Sequence, residues 1–304
     1  MSAERYAAQV ALLVRCLPEI AVEEAFALKG GTAINLFIHD LPRFSVDIDL
    51  VYLPVAERTA SLDAIQTGFA RIADRLRRRI GAGVQENQSA EGTRMVVRAG
   101  AAQIKVELSP VLRGTVFEPE VRAVSPAVEE RFGYAEMQVV SLPDLYGGKI
   151  TAALDRQHPR DLFDVRYFYD NGGITQDIFT TFLVYLISHP RPAYELLQPG
   201  LKDLTNEYQG DFEEMTVDAV PLESLLETRE TLIDEIARRA RLPASRSFLQ
   251  SFFACEPDWS LLDLAADISA LPAVQWKLRN LERLRAEQPA KFERELARLD
   301  EALR

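Results

Sequence analysis

Between Phe44 and Leu53 the chain alternates in the manner of a β-strand, with Val46, Ile48 and Leu50 on one face and Ser45, Asp47 and Asp49 on the other. Carboxylates on so apolar a strand are costly to bury unless they are paired or bound to a cation. This segment therefore demands a sheet with one face against a core and the other open to polar partners. Two positions apart, Asp47 and Asp49 project from the same side with Cα atoms about 6–7 Å from each other. Shortly before the strand stands Lys29-Gly30-Gly31-Thr32. Adjacent glycines adopt backbone angles closed to other residues and let a ligand approach the main chain.

The surrounding pattern predicts an α+β chain. Residues 4–16 read as an amphipathic helix, and Val22 to Leu28 as an apolar segment leading into the glycine turn, after which a short helix is expected from Thr32 to Ile38. A long helix follows over about 57–80, then a hairpin of Thr93–Ala99 and Gln103–Ser109, then short strands at Val121–Val124 and Met137–Val140. From Ser141 onward the signals are helical. Ser141-Leu142-Pro143-Asp144 resembles a capping box, and a helix to about Gln157 is followed by one that starts at Pro159 and stops at Asn171-Gly172-Gly173. Further helices are expected near 174–188, 221–241, 245–254 and 272–303, with a polar loop around 199–220. These readings place a mixed sheet-and-helix domain at 1–140 and a helical domain at 141–304.

Composition narrows the chemistry. The chain has two cysteines, far apart, and three histidines, which argues against a disulfide scaffold and a structural zinc site. A metal would be held by carboxylates, favouring magnesium or manganese. No apolar run reaches the roughly 18 residues of a membrane span. Met1-Ser2-Ala3-Glu4-Arg5 reads as no signal peptide, so a cytoplasmic protein without a membrane partner is expected. A net charge of −11 opposes indiscriminate binding to nucleic acid. The basic run Arg71, Arg75, Arg77, Arg78 and Arg79 reads as a solvated helix face.

A glycine turn opening a helix offers free N–H groups and the positive end of a dipole to a phosphate. A carboxylate pair on one strand face holds hard cations that clamp the oxygens of an in-line phosphoryl displacement. Together they are what transfer from a nucleoside triphosphate requires. No G-x-x-x-x-G-K-[ST] phosphate loop is present. An Asp-x-Asp glycosyltransferase would account for the acids but not for the glycine turn. A catalytically silent nucleotide- or partner-binding module is the other alternative.

Leu28-Lys29-Gly30-Gly31-Thr32-Ala33 followed by Arg43-Phe44-Ser45-Val46-Asp47-Ile48-Asp49-Leu50 resembles the AbiEii/AbiGii toxin family of nucleotidyltransferases, within the DNA polymerase β-like superfold. Gly148-Lys149, Arg156 and Pro159-Arg160-Asp161-Leu162-Phe163-Asp164 are similar to that family's later Lys and Arg-Asp-x-x-Asp motifs. The resemblance covers about residues 25–170. It implies a toxin of a toxin–antitoxin or phage-defence system with a cognate antitoxin as partner. It also implies transfer of a nucleotide from a nucleoside triphosphate to an RNA acceptor, with the tRNA 3′ end leading. Asp47 and Asp49 would bind Mg²⁺ or Mn²⁺, Gly30, Gly31 and Thr32 would hold phosphates, and Lys149 would neutralise the triphosphate. The helical half would bind the acceptor. Thr32 stands where many relatives have Ser; it keeps the hydroxyl, so phosphate contact is expected to survive.

Glu107 or Asp161 would orient or deprotonate the acceptor. Glu107 also reads as an ordinary strand acid paired to a residue such as Arg98, and Asp161 as a helix-start acid. Arg160 and Asp164 have the spacing of an ion pair on one helix, whereas Lys149 has only Leu145 and Ala153 four residues away, so its removal is expected to cost little stability. His158 reads as a cap, His39 and His189 as structural. Trp259, Trp276 and Tyr167-Phe168-Tyr169 read as packing.

Overall fold

The first helix, α1 (Ser2–Ala21), precedes β1 (Phe26–Lys29), and the chain turns at once into α2 (Gly30–Ala33), which continues as a π-helical turn over Ile34–Ile38. Next come β2 (Asp47–Tyr52), α3 (Arg58–Arg75) with a π-helical end at Leu76–Ile80, β3 (Gly83–Ser89), β4 (Gly92–Ala99), β5 (Ala102–Arg113), β6 (Glu120–Ala123), α4 (Pro126–Phe132) and β7 (Glu136–Val139). The helical remainder comprises α5 (Leu142–Arg156), α6 (Pro159–Asp170), α7 (Gln176–Ser188), α8 (Ala193–Leu197), α9 (Thr205–Asp211), α10 (Leu222–Ala240), α11 (Pro243–Phe253), α12 (Pro272–Glu287) and α13 (Pro289–Ala302). This computed structural model describes residues 2–89 and 92–304.

Among the described residues seven strands form one sheet in the order β3-β4-β5-β2-β1-β7-β6. Strand β2 sits at its centre, antiparallel to β1 and parallel to β5. The fold is therefore α+β with a mixed sheet, as the sequence predicts. The chain separates into two compact units, Met1–Ser141 with Gln209–Val220, and Leu142–Tyr208 with Pro221–Arg304.

In the first unit the alternation of β2 becomes burial: Ile48 and Leu50 are fully buried, and Asp47 and Asp49 are half-buried. Phe26 of β1 meets Phe69 of α3 edge-on, and Gly68 leaves the space its ring occupies, since a Cβ there would lie 2.7 Å from the ring. The stretch 209–220 returns to this unit: Phe44 N–H donates to Met215 O at 2.8 Å and Val217 N–H to Pro42 O at 3.1 Å. These bonds pin the arm that leads into β2, and no local signal in the polar stretch announces them.

Three sequence readings are corrected. The glycine pair is the first turn of a helix rather than a loop before it. The strand β3 was not expected; its polar sequence, Gly83 to Ser89, lacks the apolar alternation of a strand, and it is ordered by antiparallel pairing with β4. The long helix 272–303 is two, broken between Glu287 and Pro289, because proline at 289 has no N–H for the preceding turn and suits only the start of a new helix. In the second unit Phe168 stacks on the fully buried Tyr146 at 3.9 Å, and Trp259 packs against Phe248 and Phe252, as expected of packing aromatics. Trp276 is instead 55% exposed.

Candidate active site

The glycine turn and the acid strand are one structure. Lys29, the last residue of β1, lies directly opposite Asp49 on β2. Gly30 then takes a φ of +74°, in the left-handed region that favours glycine. A Cβ at Gly30 would fall 2.5 Å from Asp49 Oδ2 and 3.2 Å from its Cβ, and one at Gly31 would fall 2.7 Å from Arg43 Nη2 and 3.1 Å from Ser45 Oγ. Gly30 is thus required by a side chain of β2, and Gly31 by side chains of the arm that leads into it. Lys29, at the N-cap of the helix that starts here, makes no side-chain cap hydrogen bond; first-turn amides are the groups that an anion meets at a helix start.

Thr32 closes the same assembly from below. It is fully buried, its hydroxyl donating to the Asp47 carbonyl at 2.5 Å and lying 2.9 Å from Ser45 Oγ. In this structure the hydroxyl ties the helix start to the acid strand. Asn35 adds a second tie, its amide donating to Gly31 O at 2.9 Å. Arg43 is almost wholly buried, donates to Phe44 O at 2.9 Å, and presents Nη2 beneath Gly31. Sequence reasoning placed Ser45 on the polar face and Arg43 within the motif but assigned neither a role.

Register across the sheet extends the site. Lys29 pairs with Asp49, Asp49 with Glu107, and Glu107 with Arg94, so four strands contribute one row on one face, two adjacent acids flanked by two bases. Glu107 therefore neighbours the Asp pair. Its partner is Arg94, at 3.2 Å, rather than Arg98, which instead lies opposite Gln103 and binds it at 2.7 Å. Among the described residues no three His, Cys, Asp or Glu side chains gather as a ready-made cation cage. The donors present nevertheless suit a hard cation of the magnesium type, which takes one or two carboxylates and completes its shell from water and substrate phosphate. The Gly30 turn leaves Asp49 Oδ2 uncovered by any side chain at that position.

Gly30→Ala is expected to abolish activity and lower the melting temperature by several degrees. The substitution places a methyl within Asp49's carboxylate and imposes a left-handed residue with a side chain, at about 1–2 kcal/mol for the backbone alone. Thermal melting beside an activity assay checks this, and an active, fully stable alanine variant would remove the turn from the site.

In the second unit the later motif residues form a buried ion cluster. Lys149 of α5 is 6% exposed, with its ammonium 2.8 Å from Asp161 and 2.9 Å from Asp164, both of α6 and both 1% exposed. Arg156 donates to both oxygens of Asp161 from a largely exposed position. Burial alone would raise the Asp161 pKa, but the Lys149 charge and the Arg156 bonds outweigh it and hold the carboxyl well below the usual carboxylate range. This overturns the expectation that Lys149 has no partner and is cheap to remove. Its partners lie on the next helix, where a four-residue rule along its own helix cannot find them. Asp164, read as the partner of Arg160, binds Lys149. His158 caps α6, as expected, accepting from Arg160 N–H at 3.2 Å.

The basic run of α3 is accounted for structurally. Arg71 and Arg75 bind Glu23, Arg77 binds Glu86, and Arg78 pairs with Asp74. Both cysteines are free thiols, and no helix of the described residues is long and apolar enough to cross a membrane.

Comparisons with known proteins bear on the fold and the family. The structure is similar to that of MenT4, a nucleotidyltransferase toxin from Mycobacterium tuberculosis H37Rv, with a TM-score of 0.58 at 17% identity over 97% of this chain and 93% of that one. No curated protein matches the sequence. A family model described as nucleotidyl transferase AbiEii toxin, type IV toxin–antitoxin system, matches residues 11–280. The glycine turn, the acid strand and the Lys/Arg-Asp-x-x-Asp helices all fall within that match, and the chain belongs to the AbiEii family of nucleotidyltransferase toxins.

Proposed function

We propose that the chain transfers a nucleotide from a nucleoside triphosphate to an RNA hydroxyl, with the tRNA 3′ end as the leading acceptor. The observation that supports this reading is the close approach of the Asp49 carboxylate to the Gly30 turn, where a Cβ would fall 2.5 Å from Oδ2; phosphate held at the turn would then lie beside a cation held by the acids. Asp47 and Asp49 would hold Mg²⁺ or Mn²⁺, which when bound neutralises phosphate charge and polarises the reacting oxygens. The first amides of α2 would receive phosphate oxygens, with Arg43 supplying positive charge from beneath Gly31. The acceptor oxygen would bond to the α-phosphorus, the bond to the bridging oxygen would break, and pyrophosphate would leave.

The hydroxyl proton would pass to Glu107. This carboxylate shares Asp49's row and has a side chain 42% exposed. Asp161 is the weaker base, since Lys149 and Arg156 favour its ionised form and so oppose proton uptake. We assign Lys149, Asp161 and Asp164 to organising the second unit's motif. A cognate antitoxin and a role in phage defence follow as proposals from the family's type IV toxin–antitoxin membership.

The test is incubation of the protein with each labelled triphosphate, Mg²⁺ and total RNA. Label from at least one nucleotide is expected in a small RNA band, with stoichiometric pyrophosphate. Nucleotide binding without incorporation from any triphosphate would replace this reading with a silent binding module.

A further inference from the structure

At the end of β2 away from Asp47, the pairing with β5 passes through an irregularity and sets Arg113 opposite Tyr52. Arg113 is 6% exposed, yet its Nε and Nη1 have no hydrogen-bond partner. Donors of a guanidinium are seldom left so in a protein interior. Burial pushes the Arg113 pKa down and the neighbouring Arg58 pushes it further, while Glu57 and Tyr52 act the other way. Glu57 is otherwise engaged, its carboxylate accepting from Ala60 N–H at 3.0 Å as the N-cap of α3. Arg58 is exposed and is the first residue of that 18-residue helix.

Two cations that repel each other, one of them buried with unmet donors, are the donor set of an oxyanion site. We propose that Arg113 and Arg58 form a seat for a phosphate group, separate from the Asp47–Asp49 face. A phosphate suits it because its charge answers two cations at once and its several oxygens accept charge-assisted N–H bonds from different sides of a guanidinium. The separation follows from the sheet. Tyr52 packs on Phe26, and Phe26 on Phe69 of α3, so Tyr52 faces α3, whereas Asp47 and Asp49 alternate to the opposite face. The seat also lies about 17 Å along the strand from Asp47. It does not rest on the transfer chemistry, and it accepts a phosphate free in solution or one carried on a polynucleotide.

The experiment is thermal melting of the full chain in phosphate-free buffer. Inorganic phosphate, then a 5′-phosphorylated RNA oligonucleotide, is titrated against chloride at matched ionic strength. Wild type, Arg113→Met and Arg58→Ala are compared. The wild-type midpoint is expected to rise saturably. Arg58→Ala should need about tenfold more ligand, and Arg113→Met should lose at least about half of the shift. Without ligand, Arg113→Met should melt no lower than wild type, because it removes unmet buried donors. A response to phosphate alone assigns a small-molecule source; a response to the oligonucleotide at far lower concentration assigns a polynucleotide. No response of the wild type to either, or equal responses in wild type and Arg113→Met, would overturn the seat and leave water as its occupant. Should Arg113→Met fail to fold, an unchanged ligand requirement in Arg58→Ala overturns it equally.

Discussion

Asp49→Ala is expected to lower nucleotide transfer by at least about 10³-fold while moving the melting temperature by no more than about 2 °C. The first figure follows from losing a cation ligand, since each 1.36 kcal/mol of lost transition-state stabilisation is a factor of ten. The second follows from the site's surroundings. Asp49 lies in register beside Glu107, and two like charges directly opposite each other destabilise a sheet, so removing one relieves repulsion. It also lies opposite Lys29, whose favourable interaction is lost, and the two effects offset. Asp47→Ala should behave alike in activity. EDTA should abolish turnover in the wild type, and in a bacterial host the growth arrest caused by the wild type should be absent from both variants. An Asp49→Ala protein that transfers nucleotides at the wild-type rate, or turnover indifferent to EDTA, would end the metal reading.

Lys149→Met should have the largest effect on stability, about 3–5 kcal/mol, because it leaves the carboxylates of Asp161 and Asp164 buried without the ammonium that lies within 3 Å of both. A buried pair broken on one side costs more than the pair contributes, so Asp161→Asn with Asp164→Asn added to Lys149→Met should restore much of the loss. The pH dependence has a definite sign. Asp161 titrates below its unfolded value of 3.8, so its contribution is fully present above the ordinary carboxylate range and fades as pH falls through about 4 and below. In Lys149→Met the burial that Lys149 had outweighed pushes the Asp161 pKa upward, and the variant takes up its proton earlier on acidification. The gap in melting temperature between wild type and variant should therefore narrow from pH 7 to pH 4. A gap that is small at pH 7, or that widens on acidification, would show that the cluster is not held by charge. Turnover per folded molecule, measured on the same samples, separates this from a direct part in the reaction.

Much of this protein was determined locally and is therefore readable in one dimension. The alternation of Ser45 to Leu50 specifies a half-buried strand because side chains on a pleated backbone alternate between faces. Gly30 specifies a left-handed backbone position that other residues rarely adopt, and Pro159 a helix start, because these depend on backbone sterics within a few residues. The family motif followed from the same residues. What tertiary structure decided depended on partners distant in sequence. Register alone placed Lys29, Asp49, Glu107 and Arg94 in one row, and gave Glu107 to Arg94 rather than Arg98. Packing of α5 on α6 converted Lys149 from an apparently unpaired surface lysine into the centre of a buried ion cluster. Burial turned the Thr32 hydroxyl inward, and the return of residues 209–220 pinned the Arg43 arm. Backbone preferences act over a few residues and leave their mark in local sequence, whereas hydrogen-bond, charge and packing partners are selected by proximity in space, which the fold creates.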